Sequence, residues 1–335
     1  MPVTLAEASK NAQEDFNATV IDEFRKESVV LDTLVFDTAV NPAGGGVTMT
    51  YGYRRLATQP TAATRELNTE YQAQNVTTTT HNVTLAVMGG AFTVDRVIAR
   101  IGPAASGAVT LNLAQKIKAT RTLFQDLVIN GDVNVDASGF DGLDKALTGT
   151  STEFRASSVT DWRTFNNTED RLTALDDLDE FLSLLDGTPT ILLGNKKLLA
   201  KIRSIVRGTS LYVSEPVEGL LGPNGRPINR ESYGGVTFAD PGDKAGSNSP
   251  IIPIETRTVG GQSTTGLTDL YAYRVALDGF HGVTTVDGEL IRSWPPDFES
   301  PGAVKSGEVE LGPVAVALKA TKAAAVWRNI RVEGS

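Results

Sequence analysis

A chain of 335 residues exceeds the usual size of a single hydrophobic core, so two domains, or one domain with large insertions, are expected. With 31 lysines and arginines against 40 aspartates and glutamates, the net charge of -9 argues against a protein that grips nucleic-acid phosphates. The absence of cysteine removes disulfides, thiol catalysis and sulfur-ligated metals, and leaves cytosolic synthesis as the simplest reading.

The opening MPVTLAEASKNAQEDF has neither a basic start nor an apolar run of signal-peptide length. No later segment approaches the roughly eighteen apolar residues of a membrane span, so a soluble chain is expected. Leu5 to Lys26 reads as an amphipathic helix, with Leu5, Ala8, Ala12, Phe16, Val20 and Phe24 on one face that must lie on something. Ser28 to Leu34 is β-branched and apolar and reads as an extended arm. The run from Asn41 to Gly46 then breaks the chain, with Gly44, Gly45 and Gly46 as a hinge.

Val47, Met49, Tyr51 and Tyr53 alternate with Thr48, Thr50, Gly52 and Arg54, the period of a strand with one covered face. Ala57 to Asn68 carries Pro60, small residues and charges, and Thr69 to Leu85 is extended and rich in threonine, so the two limbs predict a long hairpin. A two-stranded ribbon is marginal alone in water, so its covered face needs a partner. Arg54, Arg55, Arg65 and Glu66 flank its tip. Val83, Leu85 and Val87 resume the alternation, Gly89-Gly90 interrupts it, and Phe92 to Ile101 is apolar.

Ser106 to Asn130 is the strongest helix signal, with Val109, Leu113, Ile117, Phe124 and Val128 as its stripe and Asn130-Gly131 as its stop. Asp161 to Asp186 contains a second, with Leu172, Leu175, Leu178, Leu182 and Leu185 on one face and Gly187 as terminator. Thr190 to Leu193 reads as a buried strand, Asn195 as a cap and Lys196 to Arg207 as a helix. Leu211 to Gly266 is rich in proline and glycine with short strands, and β character returns at Leu270 to Ala276 and Val283 to Trp294. The alternation from Glu308 to Leu318 shifts register near Gly312-Pro313, and Ala324 to Val332 supplies a last strand. The class is α+β.

Chemistry is sparse. His81 and His281 are the only histidines, without a closely spaced pair or HExxH motif for zinc, and a Ser-His-Asp triad could be assembled only arbitrarily. Gly44 to Gly46 lacks the ending of a phosphate loop. Asp132 to Ser138 places oxygens at alternate positions as a calcium loop would, yet Ala137 and Leu143 stand where glycine and glutamate belong. Glu169, Asp170, Asp176, Asp177, Asp179 and Glu180 lie opposite a leucine stripe and read as a solvated helix face. Lys196, Lys197, Lys201, Arg203 and Arg207 form a basic cluster without aromatic interleaving, which favours a surface or intersubunit role over nucleic-acid binding. No catalytic, cofactor or metal site is expected, and the chain reads as a non-enzyme.

The order of these pieces resembles the major capsid proteins of tailed bacteriophages, the Hong Kong 97-type fold. LAEASKNAQEDFNATVIDEFRKESVVLDTL is similar to the family's N-arm, Asn41 to His81 to its extended E-loop, and Ser106 to Asn130 to its spine helix, followed by INGDVNVDASGFDGL. The resemblance implies an N-arm over 1-40, an E-loop over 41-81, a peripheral domain over 82-160, an axial domain over 161-282 and a return to the peripheral domain over 283-335. It implies self-assembly into pentamers and hexamers of an icosahedral shell around double-stranded DNA, in a virion made in the bacterial cytoplasm, with no membrane and no cofactor. Phe16, Val20, Phe24, Tyr51, Tyr53, Arg54, Arg55, Arg65 and Glu66 would be intersubunit contacts, and scaffolding, portal and decoration proteins would be further partners.

Two departures follow. About forty residues precede the ribbon, so scaffolding would be separate or unnecessary; and no lysine occurs between Lys26 and Lys116, so an E-loop isopeptide bond is not supported. The rival readings are an encapsulin-like nanocompartment shell, distinguished by protein cargo, and a carboxylate-dependent hydrolase, distinguished by turnover in a small oligomer.

Overall fold

A computed structural model describes residues 29-38, 49-98, 103-208, 213-221, 227-233, 235-247, 249-285 and 290-334. The helix expected over Leu5 to Lys26, with Phe16, Val20 and Phe24, and the hinge at Gly44, Gly45 and Gly46 lie outside these residues. The chain adopts the expected α+β class. In order come α1 (Val29–Thr33), β1 (Phe36–Asp37), β2 (Thr50–Leu56), β3 (Thr78–Thr84), β4 (Ala86–Asp95), α2 (Pro103–Asn130), α3 (Leu143–Leu147), β5 (Glu153–Phe154), β6 (Thr160–Asp161), α4 (Thr168–Ser183) and β7 (Ile191–Gly194). There follow α5 (Lys196–Gly208), β8 (Val213–Leu221), β9 (Pro227–Tyr233), β10 (Val236–Ala239), β11 (Glu255–Val259), β12 (Gln262–Tyr273), β13 (Phe280–Thr284), β14 (Ile291–Trp294), β15 (Val304–Leu318) and β16 (Ala324–Arg331).

The segment read as extended at Ser28 to Leu34 is instead helical over α1. Its β-branched residues are overruled by tertiary contact: Val29 and Val30 are buried, and the Val30 N–H donates to Gln125 Oε1 on α2 at 3.1 Å. α2 has 28 residues, about 42 Å of helix. Its stripe is buried only toward the C-terminus, at Phe124 and Val128, while Val109, Leu113 and Ile117 are half-buried.

Among the described residues, one sheet has five strands in the order β1-β13-β15-β14, with β4 on the other edge of β15. One face lies on α2: Phe36 stacks toward Phe124 at 6.2 Å between ring centroids, and the Lys116 stem lies over Gly90. Gly89-Gly90 does not interrupt the strand as expected. Pairing runs through both residues, and a Cβ on Gly89 would stand 2.3 Å from the Val309 carbonyl oxygen, so glycine permits the close approach. The expected register shift falls between Leu311 and Val314.

The second sheet has nine strands, β5-β16-β12-β7-β10-β9-β8, with β11 on β12 and β6 on β16. Its faces contribute to two cores. Ile191, Leu193, Tyr271, Tyr273 and Val326 join Phe124, Phe140 and the five-stranded sheet, whereas Leu192, Leu270, Ala272, Ala325 and Trp327 pack with α4 and α5. The first core therefore spans both sheets. The last strand, read with the return to the sheet that carries Val283 and Glu308 to Leu318, pairs instead with β12, β5 and β6. The physical reason is that β16 is apolar on both faces, with Ala324 and Val326 on one and Ala325 and Trp327 on the other, and such a strand is stable only where both faces are covered.

On α4 the buried residues are Ala174, Leu175, Leu178 and Phe181, and Leu172, expected on the apolar face, is 49% exposed. Asn167 caps this helix and Asn195 accepts from the Lys197 N–H at 3.0 Å at the start of α5, as its sequence position suggests. After α2 the chain closes a loop at Gly131 and Gly142, whose backbones bond at 2.8 Å. A Cβ on Gly131 would stand 2.2 Å from the Phe140 oxygen, and one on Gly142 would stand 2.5 Å from that of Leu127. Both must be small for Phe140 to reach the core.

Candidate intersubunit surfaces

β2 and β3 form the predicted hairpin, in register from Thr50 opposite Thr84 to Leu56 opposite Thr78. Its root is covered by its own subunit. The Tyr51 hydroxyl donates to Asp37 Oδ2 at 3.0 Å, the Tyr53 hydroxyl to the Leu318 carbonyl at 2.9 Å, and Arg55 Nε to the Lys319 carbonyl at 2.9 Å, while Arg55 Nη2 also donates to Leu318. Tyr53 stacks on His81 across the ribbon at 5.5 Å. Burial, aided by Asp37, pushes the Tyr51 phenol well above its ordinary pKa, and burial raises Tyr53 too. Three residues read as intersubunit contacts, Tyr51, Tyr53 and Arg55, are thus engaged within the subunit.

The distal half differs. Every residue from Leu56 to Thr80 is exposed. Ala57 still donates its N–H to the Thr77 carbonyl at 2.8 Å, and the Gln74 amide brackets Thr61. The turn closes where Thr69 donates to the Glu66 carbonyl, with Asn68 at a φ of 67°, a left-handed position that asparagine tolerates. Arg65 bonds the Glu66 and Thr69 carbonyls and lies 5.5 Å from the Tyr71 ring. Leu67 is 89% exposed beside it. Arg54 points from the exposed face of β2 and Arg65 and Glu66 lie at the exposed turn, whereas Tyr51 is buried and Tyr53 and Arg55 are half-buried against their own subunit.

A second bare surface is the five-stranded sheet face away from α2, where Val87, Trp294 and Val304 are exposed with Glu308 and Glu310 on the same stretch of β15. The basic cluster of α5 is partly neutralised inside the chain: Lys196 faces Asp240 at 3.5 Å, Lys197 pairs with Glu333, and Lys201 bonds the Arg163 carbonyl. In the loop read against a calcium site, Asp132 pairs with Lys145 and Asp136 takes the Ser138 N–H and hydroxyl at 3.0 and 2.7 Å. Among the described residues no group of three or more histidine, aspartate or glutamate side chains is placed to hold a metal. No helix among them is long and apolar enough to cross a membrane.

Sequence reasoning missed two clusters. At the hairpin root Asp37, His281 and Lys319 converge on Tyr51 from three separate segments, and no local motif signals it. In the second, Arg328 of β16 reaches Glu153 at 3.0 Å, Asp269 at 3.2 Å and Asp144, while Arg257 meets Asp269 at 2.6 Å. This partly buried array, with Asp269 at its covered centre and Asp144 at its exposed edge, seams α3 to the nine-stranded sheet.

No family model matches the chain, and no curated protein matches it. Solved structures do. The holo-SrpI encapsulin complex of Synechococcus elongatus aligns at a TM-score of 0.60 and 14% identity over 100% of this chain and 98% of that one. A structure from Mycobacterium phage Bobi aligns at 0.56 and 13% over 100% of both chains, and the capsid of Myoviridae phage XM1 at 0.54 and 9% over 96% and 97%. At these identities the likeness is one of architecture, carried through the whole chain: it has the Hong Kong 97-type fold of tailed-phage capsid and encapsulin shell structures.

Proposed function

We propose that this chain is the major capsid protein of a tailed bacteriophage, a structural subunit that assembles through pentamers and hexamers into an icosahedral shell around double-stranded DNA. The observation that carries this reading is the distal hairpin, an extended limb exposed from Leu56 to Thr80 on a fold shared over its full length with shell subunits. A limb with so little to bury is stable in isolation only as a loose appendage, and it gains a covered face when a second copy supplies one. The five-stranded sheet with α2 corresponds to the peripheral domain, and the nine-stranded sheet with α4 and α5 to the axial domain. Arg54, Arg65 and Glu66 are the intersubunit contacts retained, with Phe16, Val20 and Phe24 of the N-arm and the hinge at Gly44, Gly45 and Gly46 as further elements of the same role. The net charge of -9 suits a container that does not hold its genome tightly. The role is structural and not catalytic, and scaffolding, portal and decoration proteins are its expected partners in the virion.

The full-length alignment to an encapsulin supports a second reading, a nanocompartment shell with protein cargo. One experiment separates the two: particles purified from the native source are imaged by electron microscopy, and their contents are assayed for nuclease-protected DNA and for co-purified protein. Protected DNA supports the phage reading, and a stoichiometric protein cargo without DNA supports the nanocompartment. A chain that stays monomeric at every concentration and is absent from particles overturns both.

A further inference from the structure

We propose that His281 and Asp37 form an acid-responsive latch at the root of the hairpin, held by Tyr51 at neutral pH and re-paired by His281 on acidification. The inference concerns the single subunit and does not depend on what the shell encloses.

His281 lies in β13 and is fully buried, yet neither ring nitrogen makes a hydrogen bond of good geometry, the Gly279 backbone offering only a weak contact. A buried polar group left unpaired costs stability, so its persistence here calls for an explanation. The groups facing it come from every neighbouring element. Asp37 of β1 places Oδ2 4.0 Å from Nε2, and Tyr51 of β2 meets the imidazole edge-on at 6.0 Å between ring centroids. Lys319, just beyond β15, holds Nζ 3.9 Å from the same Asp37 oxygen and 5.4 Å from the Tyr51 ring. Asp278 precedes β13 in the turn, and the β15 residue opposite His281 is Ala317, which cannot titrate.

One carboxylate oxygen therefore faces three potential donors. At neutral pH the Tyr51 hydroxyl holds it at 3.0 Å. Burial, together with the Lys319 charge, keeps His281 below its ordinary pKa of 6.5, and Asp37, the Gly279 carbonyl and Asp278 act in the opposite sense. Once protonated, the imidazole carries a charge and donates from both nitrogens, and Asp37 is the acidic group placed to accept from Nε2. Closing that 4.0 Å gap draws Asp37 away from Tyr51 and puts a cation beneath the ribbon next to Lys319. Because no residue from Leu56 to Thr80 is buried on the body, movement at the root is transmitted to the tip. A rotation of about 10° moves a limb on the order of 30 Å long by about 5 Å at its end.

The sign of the linkage is fixed by the depressed pKa. The unfolded chain takes the proton first, so the stability due to neutral His281 is full above about pH 6.5 and is lost as pH falls through the lower folded value. The latch opens in that same window.

The chain has no cysteine, so Ala63→Cys on the tip and Ser306→Cys on the body accept a pair of pH-insensitive fluorophores. Doubly labelled full-length chain is diluted into a large excess of unlabelled chain, so that energy transfer reports within one subunit whether or not it assembles. The expected result is a reversible change in transfer with a midpoint below pH 6.5, at constant circular dichroism, that disappears in His281→Gln. Asp37→Asn, which removes the counter-charge, moves the midpoint to lower pH. Transfer that is independent of pH, the same transition in His281→Gln, an unmoved midpoint in Asp37→Asn, or a transition that coincides with loss of the circular dichroism signal would each overturn the latch. Should His281→Gln fail to fold, the ring-proton signals of the chain's two histidines, followed by NMR in the unsubstituted protein, give His281's midpoint directly; a midpoint at or above 6.5 also overturns it.

Discussion

Excising the distal hairpin separates what the ribbon does for its own subunit from what it does for a neighbour. Replacing Thr58 to Val76 by Asn-Gly joins Ala57 to Thr77, whose backbones already bond at 2.8 Å, through the two-residue turn that suits a twisted ribbon. The losses are small. The Thr61–Gln74 bonds are solvent-exposed and the Arg65–Tyr71 contact contributes about 0.5–1 kcal/mol. Against them, a loop shortened by roughly three halvings recovers about 0.6 kcal/mol per halving, near 2 kcal/mol in all. The excised subunit should therefore unfold in urea within about 2 kcal/mol of the parent, because Tyr51, Tyr53 and Arg55 still hold the root. Assembly should fail, leaving monomers or capsomers by light scattering and no closed particles by electron microscopy. Shells of normal number and heat resistance would refute the role given to the ribbon, and a stability loss of several kcal/mol would show that the tip is packed on its own body after all.

Arg328→Met should cost about 3–5 kcal/mol in urea unfolding, since it leaves Glu153 and Asp144 without their guanidinium and removes one of two from Asp269, itself only 3% exposed; a loss below about 1 kcal/mol would sink the seam. On α4, Leu172→Gln should change stability by less than about 0.5 kcal/mol and Leu175→Ala, 5% exposed in the parent, should cost about 2–5 kcal/mol, a contrast that equal losses would contradict. Purified particles boiled in detergent should run as monomer on a denaturing gel, given the absence of cysteine and of any lysine between Lys26 and Lys116; a ladder of covalent multimers would show a cross-link elsewhere.

Local periodicity was enough for the hairpin limbs, the long helix, the stop at Asn130-Gly131, the Asn195 cap and the shift near Gly312-Pro313, because each follows from the pattern of a few neighbouring residues. It misread Ser28 to Leu34, where one turn of helix is held by burial and by Gln125, and Gly89-Gly90, where glycine serves a close approach and not a break. It did not show that Tyr51, Tyr53 and Arg55 bond to their own subunit, since alternation reveals that a face is covered but not by what. The sequence by itself determined the α+β class, the acidic and cysteine-free chemistry, and an arm with too little of its own to bury. Only the tertiary structure decided that the last strand enters the nine-stranded sheet, and that Asp37, His281 and Lys319 meet beneath Tyr51 while Arg328 gathers Asp144, Glu153 and Asp269. Such meetings join residues far apart along the chain, and their energy depends on burial and distance, which a one-dimensional pattern does not encode.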